Sequence, residues 1–489
     1  MTTETHRSAA RLGPRGRLIL ITLCGATFMT GLDYSIITVA LPEIGRDLGF
    51  SSASALQWVA TACLLPTAAL MPLFGRASDM IGRRRLFIVG VVTFTVFSLL
   101  AGSAPGPGLL VAARVGQGVA AAMIGPTALA LMTAAFPEGP RRTRALGVNG
   151  ALLSLGFVIG TIGGGLITSG LNWRWTMLML FGIGLLVLLG AITVIREPAG
   201  RGRTRLDVPG AILASGGLFA LVYGISTGGR AGWGSAPTLG TLLAAAALLG
   251  AFLVVEARHA APLIPLRLLR RTTVKWGMTV ALVTFGMCGG ATLLLSIYMQ
   301  DVLGYSPLET GLGFLGEGVA ALLAGTLAAR LIGARGTVTT IVTGLAVQAL
   351  GTAAMVFLPA QGGPVLLLAT SATMGFGHVL TVVSAITTIT SGLDEADQGV
   401  AGSLAQMPTF IGAVGVAGLT AIVAARTEAL APTTTEALAT LGGLHTAFLV
   451  AGGVALLGAV AGGVLLRRAN TGRAAERATG GPAERSLAA

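Results

Sequence analysis

The chain has little with which to face water. Only 10% of its 489 residues are charged, against about 25% in an ordinary soluble domain. Mean hydropathy is +0.83. No water-soluble fold covers its surface with so few charges, so a soluble enzyme, a coiled coil and a disordered chain are all excluded. Cysteine is scarce: Cys24, Cys63 and Cys288 lie inside apolar runs, without metal spacing or a disulfide pattern, and read as packing residues. Histidine is as scarce, at four residues, and forms no cluster, so neither metal nor cofactor is expected. Long polar segments are missing too. The stretches after Leu466 and around 257–273 fall far below the roughly 50 residues of a small domain. Whatever the chain does, it does in or across a bilayer.

Apolar runs, glycine and arginine are what the sequence has in quantity. A membrane-crossing helix needs about 20 mostly apolar residues. Such runs occur near 18–40, 53–74, 86–104, 108–132, 143–169, 175–195, 208–227, 237–255, 275–299, 308–332, 337–358, 363–389, 399–424 and 442–466. The reading is an all-α integral membrane protein with fourteen transmembrane helices. The 73 glycines suit close helix approach in lipid. The net charge of +13 does not imply nucleic acid, because the basic residues sit in short clusters between apolar runs. With the N-terminus placed inside, 27 basic residues fall on inner segments and four on outer ones. That split predicts both termini in the cytoplasm of a cell whose cytoplasmic (inner) membrane holds the protein. The loop with Asp394, Glu395 and Asp397 is the one acidic exception.

Ionisable groups within hydrocarbon cost about 2.5–3.5 kcal/mol at a helix centre on insertion scales. Four stand out: Asp33, Arg114, Glu317 and His378. Asp33 and Arg114 sit at matching depth, each roughly 10 Å from the outer end of its span. They can pair, as a packing contact or as a proton site, because burial raises a carboxylate's pKa and a nearby arginine lowers it. Glu317 near the middle of the tenth span reads either as a hydrogen-bonded carboxyl or as a substrate or second proton site. His378 in the twelfth reads first as a packing residue, second as a ligand. Gly156, Gly160 and Gly164, joined by Gly163, form small-xxx-small steps that predict close helix contact. The run Gly311–Gly316 matches GxGxxG, but no strand precedes it, so it carries no dinucleotide reading.

Several stretches carry a family resemblance. Gly75-Arg-Ala-Ser-Asp79-Met-Ile-Gly82-Arg83-Arg84-Arg85 resembles the inner loop known as motif A of the major facilitator superfamily, matching at Gly75, Asp79, Gly82 and Arg83. Physically, a glycine permits the turn, Asp79 can accept from an arginine or cap a helix, and the arginines hold the loop at the inner lipid face. Leu32-Asp33-Tyr-Ser-Ile-Ile-Thr-Val-Ala-Leu-Pro42 is similar to the first-helix signature of the fourteen-helix drug:proton antiporters, with Thr38 where Asn is usual. Arg114-Val-Gly-Gln117-Gly118 resembles motif B, and Gly156 to Gly164 resembles the antiporter motif C, with Thr161 where Pro is usual.

The resemblance implies two six-helix bundles with an inserted hairpin. The boundaries are a cytoplasmic N-tail 1–17, an N-terminal bundle 18–195, the hairpin with its flanking loops 196–272, a C-terminal bundle 273–466 and a C-tail 467–489. It also implies a monomeric antiporter that exports a small hydrophobic drug or antibiotic in exchange for protons. Asp33 and Arg114 are then the coupling pair, Glu317 and His378 the substrate or second proton site, and the loop Gly75 to Arg83 the gate. The alternatives are a carrier of amino acids, peptides or siderophores and, in another class, a lipid-linked transferase. The transferase would need an Asp, Glu or His cluster at one membrane face, which the sequence does not supply.

Overall fold

The computed structural model describes residues 13–50, 53–197, 207–259, 266–393 and 397–479. Asp394 and Glu395 of the acidic loop, and most of the N-tail, lie outside them. Every regular element among the described residues is helical. The N-terminal lobe is α1 (Pro14–Leu48), α2 (Ala53–Ile81), α3 (Arg83–Gly102), α4 (Pro107–Ala135), α5 (Pro140–Gly170) and α6 (Arg174–Thr193). A hairpin follows, α7 (Val208–Ala231) and α8 (Ala236–Arg258), then a short connector, α9 (Leu266–Arg270). The C-terminal lobe is α10 (Thr272–Ile297, continued as a wider turn to Val302), α11 (Pro307–Gly313), α12 (Leu315–Ala354), α13 (Pro364–Thr390), α14 (Gln398–Ile411), α15 (Ala413–Leu430) and α16 (Glu436–Thr479).

Among the described residues, eleven helices are long and apolar enough to cross a bilayer. The number understates the crossings for identifiable reasons. Residues 315–354 run as one element only nominally: at Gly336 the backbone swings to φ 79°, ψ 162°, a conformation that glycine adopts without steric cost. The two halves pack against α13 in opposite senses, with Gly316 beside Leu368 and Gly351 beside Met374. They are therefore the tenth and eleventh spans, joined by a sharp turn in place of the expected loop. The tenth span itself begins as α11, capped by Ser306 and Glu309, and breaks at Phe314. The thirteenth span, expected as one rod over 399–424, is divided between α14 and α15. Pro408 lies inside α14 and cannot continue the ladder, and at Gly412 and Gly415 the chain comes against Gly286 of α10, where side chains would collide. The seventh span appears as a shorter apolar helix, Pro209–Ile225.

Packing fixes the lobes. α1 lies along α5, α2 along α4, and α3 against both α4 and α6. In the C-terminal lobe, α13 lies between the two halves of α12, and α16 packs on α10, α12 and α15. The lobes meet through α5 on α12 and α14 on α2 and α4. The glycines Gly147 and Gly325 bring α5 and α12 into backbone contact. At the end of the molecule where α1 begins, the Gly392 amide donates to Glu138 of the other lobe at 2.9 Å. The hairpin seats α7 against α2 and α15, so it touches both lobes.

Candidate functional site

α1 can approach α5 because three positions of α5 carry no side chain. A Cβ on Gly156 would lie 2.7 Å from the Phe28 carbonyl oxygen, one on Gly160 would lie 2.9 Å from that of Leu32, and one on Gly164 would meet Ile36. Gly163 has open space before it. The close contact therefore belongs to the four-residue series alone, as expected of one helix face. Gly118 plays the same part between α4 and α2: its missing side chain leaves room for the Cys63 backbone, and Thr67 donates to its carbonyl at 3.0 Å.

These approaches bring Asp33 and Arg114 together. The Arg114 Nη1 lies 2.5 Å from Asp33 Oδ1, with the two residues 2% and 4% exposed. The guanidinium is held on three sides. Its Nε donates to the Val59 carbonyl of α2 at 2.9 Å, and Nη1 also donates to Gln117 Oε1 at 2.8 Å. Gln117 in turn donates to Ser98 of α3 at 2.8 Å, and Ser98 donates to the Phe94 carbonyl. The Cys63 thiol points at the other carboxylate oxygen, 3.7 Å away. One network thus joins α1, α2, α3 and α4. Cys63, read from the sequence as packing alone, takes part in it. Ser98 left no signal, since one serine in an apolar helix resembles any other. The arrangement can hold or move one proton at Asp33: neutralising the carboxylate releases the arginine onto its remaining acceptors, Val59 and Gln117.

The other two intramembrane candidates lie in the C-terminal lobe, and no hydrogen bond or ion pair joins them to Asp33 or Arg114. Glu317, on the first half of α12, is half-buried. It accepts from Thr292 of α10 at 3.5 Å through Oε1, while Oε2 has no hydrogen-bond partner. Gly375 of α13 leaves the room its side chain occupies. His378 sits elsewhere, its Nδ1 2.9 Å from the Thr284 hydroxyl and its ring edge-on to Phe285 at 5.1 Å. Thr284 donates to Gln348 Oε1, and Gln348 Nε2 returns a bond to the Thr284 carbonyl at 3.1 Å. No hydrogen bond joins Glu317 to His378, and His378 belongs to a second network of α10, α12 and α13.

The inner-loop residues form a compact corner. Asp79 Oδ1 accepts from Arg83 Nε at 3.1 Å and Nη2 at 3.0 Å across the turn at Gly82, whose φ is 113°. Arg84, one of the loop arginines, and Glu197, which the sequence did not single out, complete it. Arg84 donates to the carbonyls of Ile195 and Ile192 at the end of α6, at 2.6 and 2.9 Å. Glu197 sets its carboxylate against Gly82 and the start of α3, where unpaired amides favour negative charge. At the opposite end, Asp47 of α1 accepts from Trp173 Nε1 at 2.9 Å and pairs with Arg174. Those hydrogen bonds hold its carboxyl below the usual range, Trp173 contributing most.

An all-helical bundle of apolar spans, with a buried ion pair where four helices of one lobe converge, is a multi-pass membrane transporter. The Major Facilitator Superfamily pattern matches residues 23–418, and the chain belongs to that family. It is 40% identical over 428 residues to the cephamycin export protein CmcT of Amycolatopsis lactamdurans, covering 84% of this chain and 85% of that one. It is 37% identical over 454 residues to the puromycin resistance protein pur8 of Streptomyces alboniger, covering 91% and 90%. In fold it is similar to the crystal structure of the human organic anion transporter MFSD10 (TETRAN), with a TM-score of 0.65 at 16% identity over 92% of this chain and 99% of that one.

Proposed function

We propose that the chain is a proton-coupled efflux transporter that exports a small hydrophobic drug or antibiotic across the cytoplasmic membrane by alternating access. The observation that carries this reading is the buried pair of Asp33 and Arg114: a titratable group sealed between four helices of one lobe, in a protein otherwise nearly free of intramembrane charge. The similarity to export and resistance proteins supports the direction and class of substrate. The basic residues collected at the end where α1 begins support a cytoplasmic placement of both termini. Each lobe has its own helix packing and its own polar network, which supports a self-contained monomer working as a transporter and not as an enzyme.

In the transport cycle, Asp33 loads a proton from the outer side and gives it up when substrate binds from the inside. Arg114, fixed by Val59 and Gln117, stabilises the charged form. Glu317 contacts substrate or carries a second proton, and His378 supports the C-terminal half of the cavity. The corner at Asp79, Arg83 and Arg84 holds the inner ends of α2, α3 and α6 in one of two arrangements. The test is accumulation of a panel of lipophilic toxic compounds in a pump-deficient bacterial host. Expression lowers accumulation of at least one compound, and a protonophore abolishes the effect. Export that persists after the proton gradient collapses, while ATP remains, overturns the reading.

A further inference from the structure

The inserted hairpin lies behind a helix that holds Arg114. α7 uses two faces. Gly217 and Gly224 bring it onto α8, where a Cβ would meet Leu249 and Leu242. Phe219 and Tyr223, one turn apart, present the next face, and their rings stack with centroids 6.2 Å apart. Tyr223 meets Trp58 near the start of α2, with ring centroids 6.2 Å apart and planes tilted by 31°. A second contact lies toward the other end of α2, where Leu73 packs on the cluster that includes Ala211 and Ala214 of α7. The two contacts are about 22 Å apart along α2 and about 14–18 Å apart along α7 at 1.5 Å per residue. α7 therefore backs roughly half of α2, running antiparallel to it.

α2 is a helix whose backbone fixes the ion pair. The Val59 carbonyl, next in sequence to Trp58, accepts from Arg114 Nε at 2.9 Å. One turn on, the Cys63 thiol points at Asp33 Oδ2, 3.7 Å away, and Thr67 donates to the Gly118 carbonyl of α4 at 3.0 Å. α4 thus holds one side of α2 and α7 another. A backbone carbonyl cannot adjust by changing rotamer; it moves only with its helix. A hydrogen bond stretched to about 3.6 Å is no longer one, so a retreat of α2 by less than about 1 Å near Trp58 releases Arg114 from Val59. In lipid, apolar contact between helices has no hydrophobic drive. A ring pair, which adds to simple contact, resists that retreat.

We propose that Tyr223 is a positioning residue for proton coupling: through Trp58 it holds the Val59 carbonyl on Arg114 and so keeps Arg114 in register with Asp33. The proposal rests on the coupling reading above. It gives the hairpin, which adds no side chain to the network of α1 to α4, a part in the proton step. Because α7 also packs on α15, movement of the C-terminal lobe reaches Arg114 by the same route.

The test uses the full-length protein in lipid nanodiscs and N,N′-dicyclohexylcarbodiimide, an apolar reagent that attacks protonated carboxyls. Labelling is read by peptide mass at Asp33 and at Glu317. Asp33 reacts only when it parts from Arg114 and takes up a proton; Glu317, in the other lobe, reports general loosening. Tyr223→Ala raises the Asp33 labelling rate roughly two- to tenfold, the weight of one aromatic pair, and leaves that of Glu317 unchanged. Tyr223→Phe, which keeps the ring, labels like the parent. Tyr223→Ala placed in a Trp58→Ala protein adds nothing further, because both act through one contact. Parent-like Asp33 labelling in Tyr223→Ala overturns the proposal. So does an equal rise at Glu317, a Tyr223→Phe protein as altered as Tyr223→Ala, or additive effects of the two alanine substitutions. Failure of the coupling reading looks different: Asp33 labelling that follows Tyr223 as expected, in a protein whose Asp33→Asn variant still releases protons like the parent.

Discussion

Replacing Asp33 by asparagine isolates proton coupling from packing, because the geometry around it is over-determined. Asparagine keeps the volume of the side chain and an oxygen that can still accept from Arg114 Nη1. The guanidinium also retains the Val59 carbonyl at 2.9 Å and Gln117 Oε1 at 2.8 Å. The loss is therefore confined to the charged character of one hydrogen bond, about 1.5–3 kcal/mol. Removing the acceptor altogether, as in Asp33→Leu, leaves a buried cation short of its partner and costs about 3–5 kcal/mol. The Asn variant is accordingly expected to insert and fold, and the Leu variant to be strongly destabilised.

The functional effect is far larger than the structural one. If one net charge crosses per cycle, a membrane potential of 100 mV supplies about 2.3 kcal/mol, which sustains roughly a fifty-fold substrate gradient at 1.4 kcal/mol per tenfold. Without a titratable group at position 33 that gradient falls to one, while substrate binding survives and no longer depends on pH. Two measurements check this. One is substrate accumulation in energised vesicles; the other is proton release on substrate addition to purified protein in weak buffer. Arg114→Lys is expected to fail as well, since an ammonium group lacks the planar fork that reaches Val59, Asp33 and Gln117 together. Proton release from Asp33→Asn equal to that of the parent refutes the reasoning and moves coupling to Glu317.

Three further outcomes follow from other parts of the fold. Gly160→Ala drives a methyl group toward the Leu32 carbonyl and the Ser35 side chain and should destabilise by about 1–3 kcal/mol, whereas Gly163→Ala meets nothing within 4 Å and should be neutral; equal melting temperatures for the two variants would refute the close-contact assignment. Asp79→Asn should slow transport several-fold without impairing insertion, because it weakens the two bonds from Arg83 that tie α2 to α3, and normal turnover in a well-expressed variant would leave the corner a purely topological role. The Asp47 carboxyl is held below its ordinary range by Trp173 and Arg174, so its stabilisation is complete above that range and is lost as pH falls through the lowered value; acid should therefore lower the melting temperature of the parent more than that of Asp47→Asn.

The spans were legible because each one carries about 20 apolar residues whatever its neighbours are. The breaks were not. The break at Phe314 leaves no mark in the hydrophobic pattern, and the one at Gly412 depends on Pro408 and on a glycine crossing against Gly286 of another helix. Asp33 and Arg114 stood out because a charge in hydrocarbon is expensive wherever it occurs, and equal depth was enough to suggest a pair. Gln117 stands one turn from Arg114 on the same helix, but the fixation by Val59 and Ser98 was hidden, since partners 55 and 19 residues away in the chain leave no local spacing. The corner around Gly82 was readable in Asp79 and Arg83, which are neighbours in sequence, and unreadable in Glu197, which is 113 residues from the Arg84 amide it faces.

The two lobes use corresponding helices for their polar networks, and the difference between those networks supports the proposed site of proton chemistry. In the N-terminal lobe the first, third and fourth helices contribute Asp33, Ser98, and Arg114 with Gln117. In the C-terminal lobe α10, the second half of α12 and α13 contribute Thr284, Gln348 and His378. The second set closes without charge. Gln348 Oε1 is an acceptor, so the Thr284 hydroxyl spends its single proton there, and the same oxygen must accept from His378. That fixes the imidazole with its proton on Nδ1, 2.9 Å from Thr284, and Gln348 Nε2 is spent on the Thr284 carbonyl. No carboxylate or guanidinium takes part in this network. The N-terminal set cannot close that way, because arginine has no neutral form in a protein and needs an anion or several acceptors beside it. Movement that exposes the Asp33 carboxylate or seals it must therefore change the balance between Asp33, Val59 and Gln117 as partners of one fixed cation. This is the physical reason for the proposal that coupling lies in the N-terminal lobe.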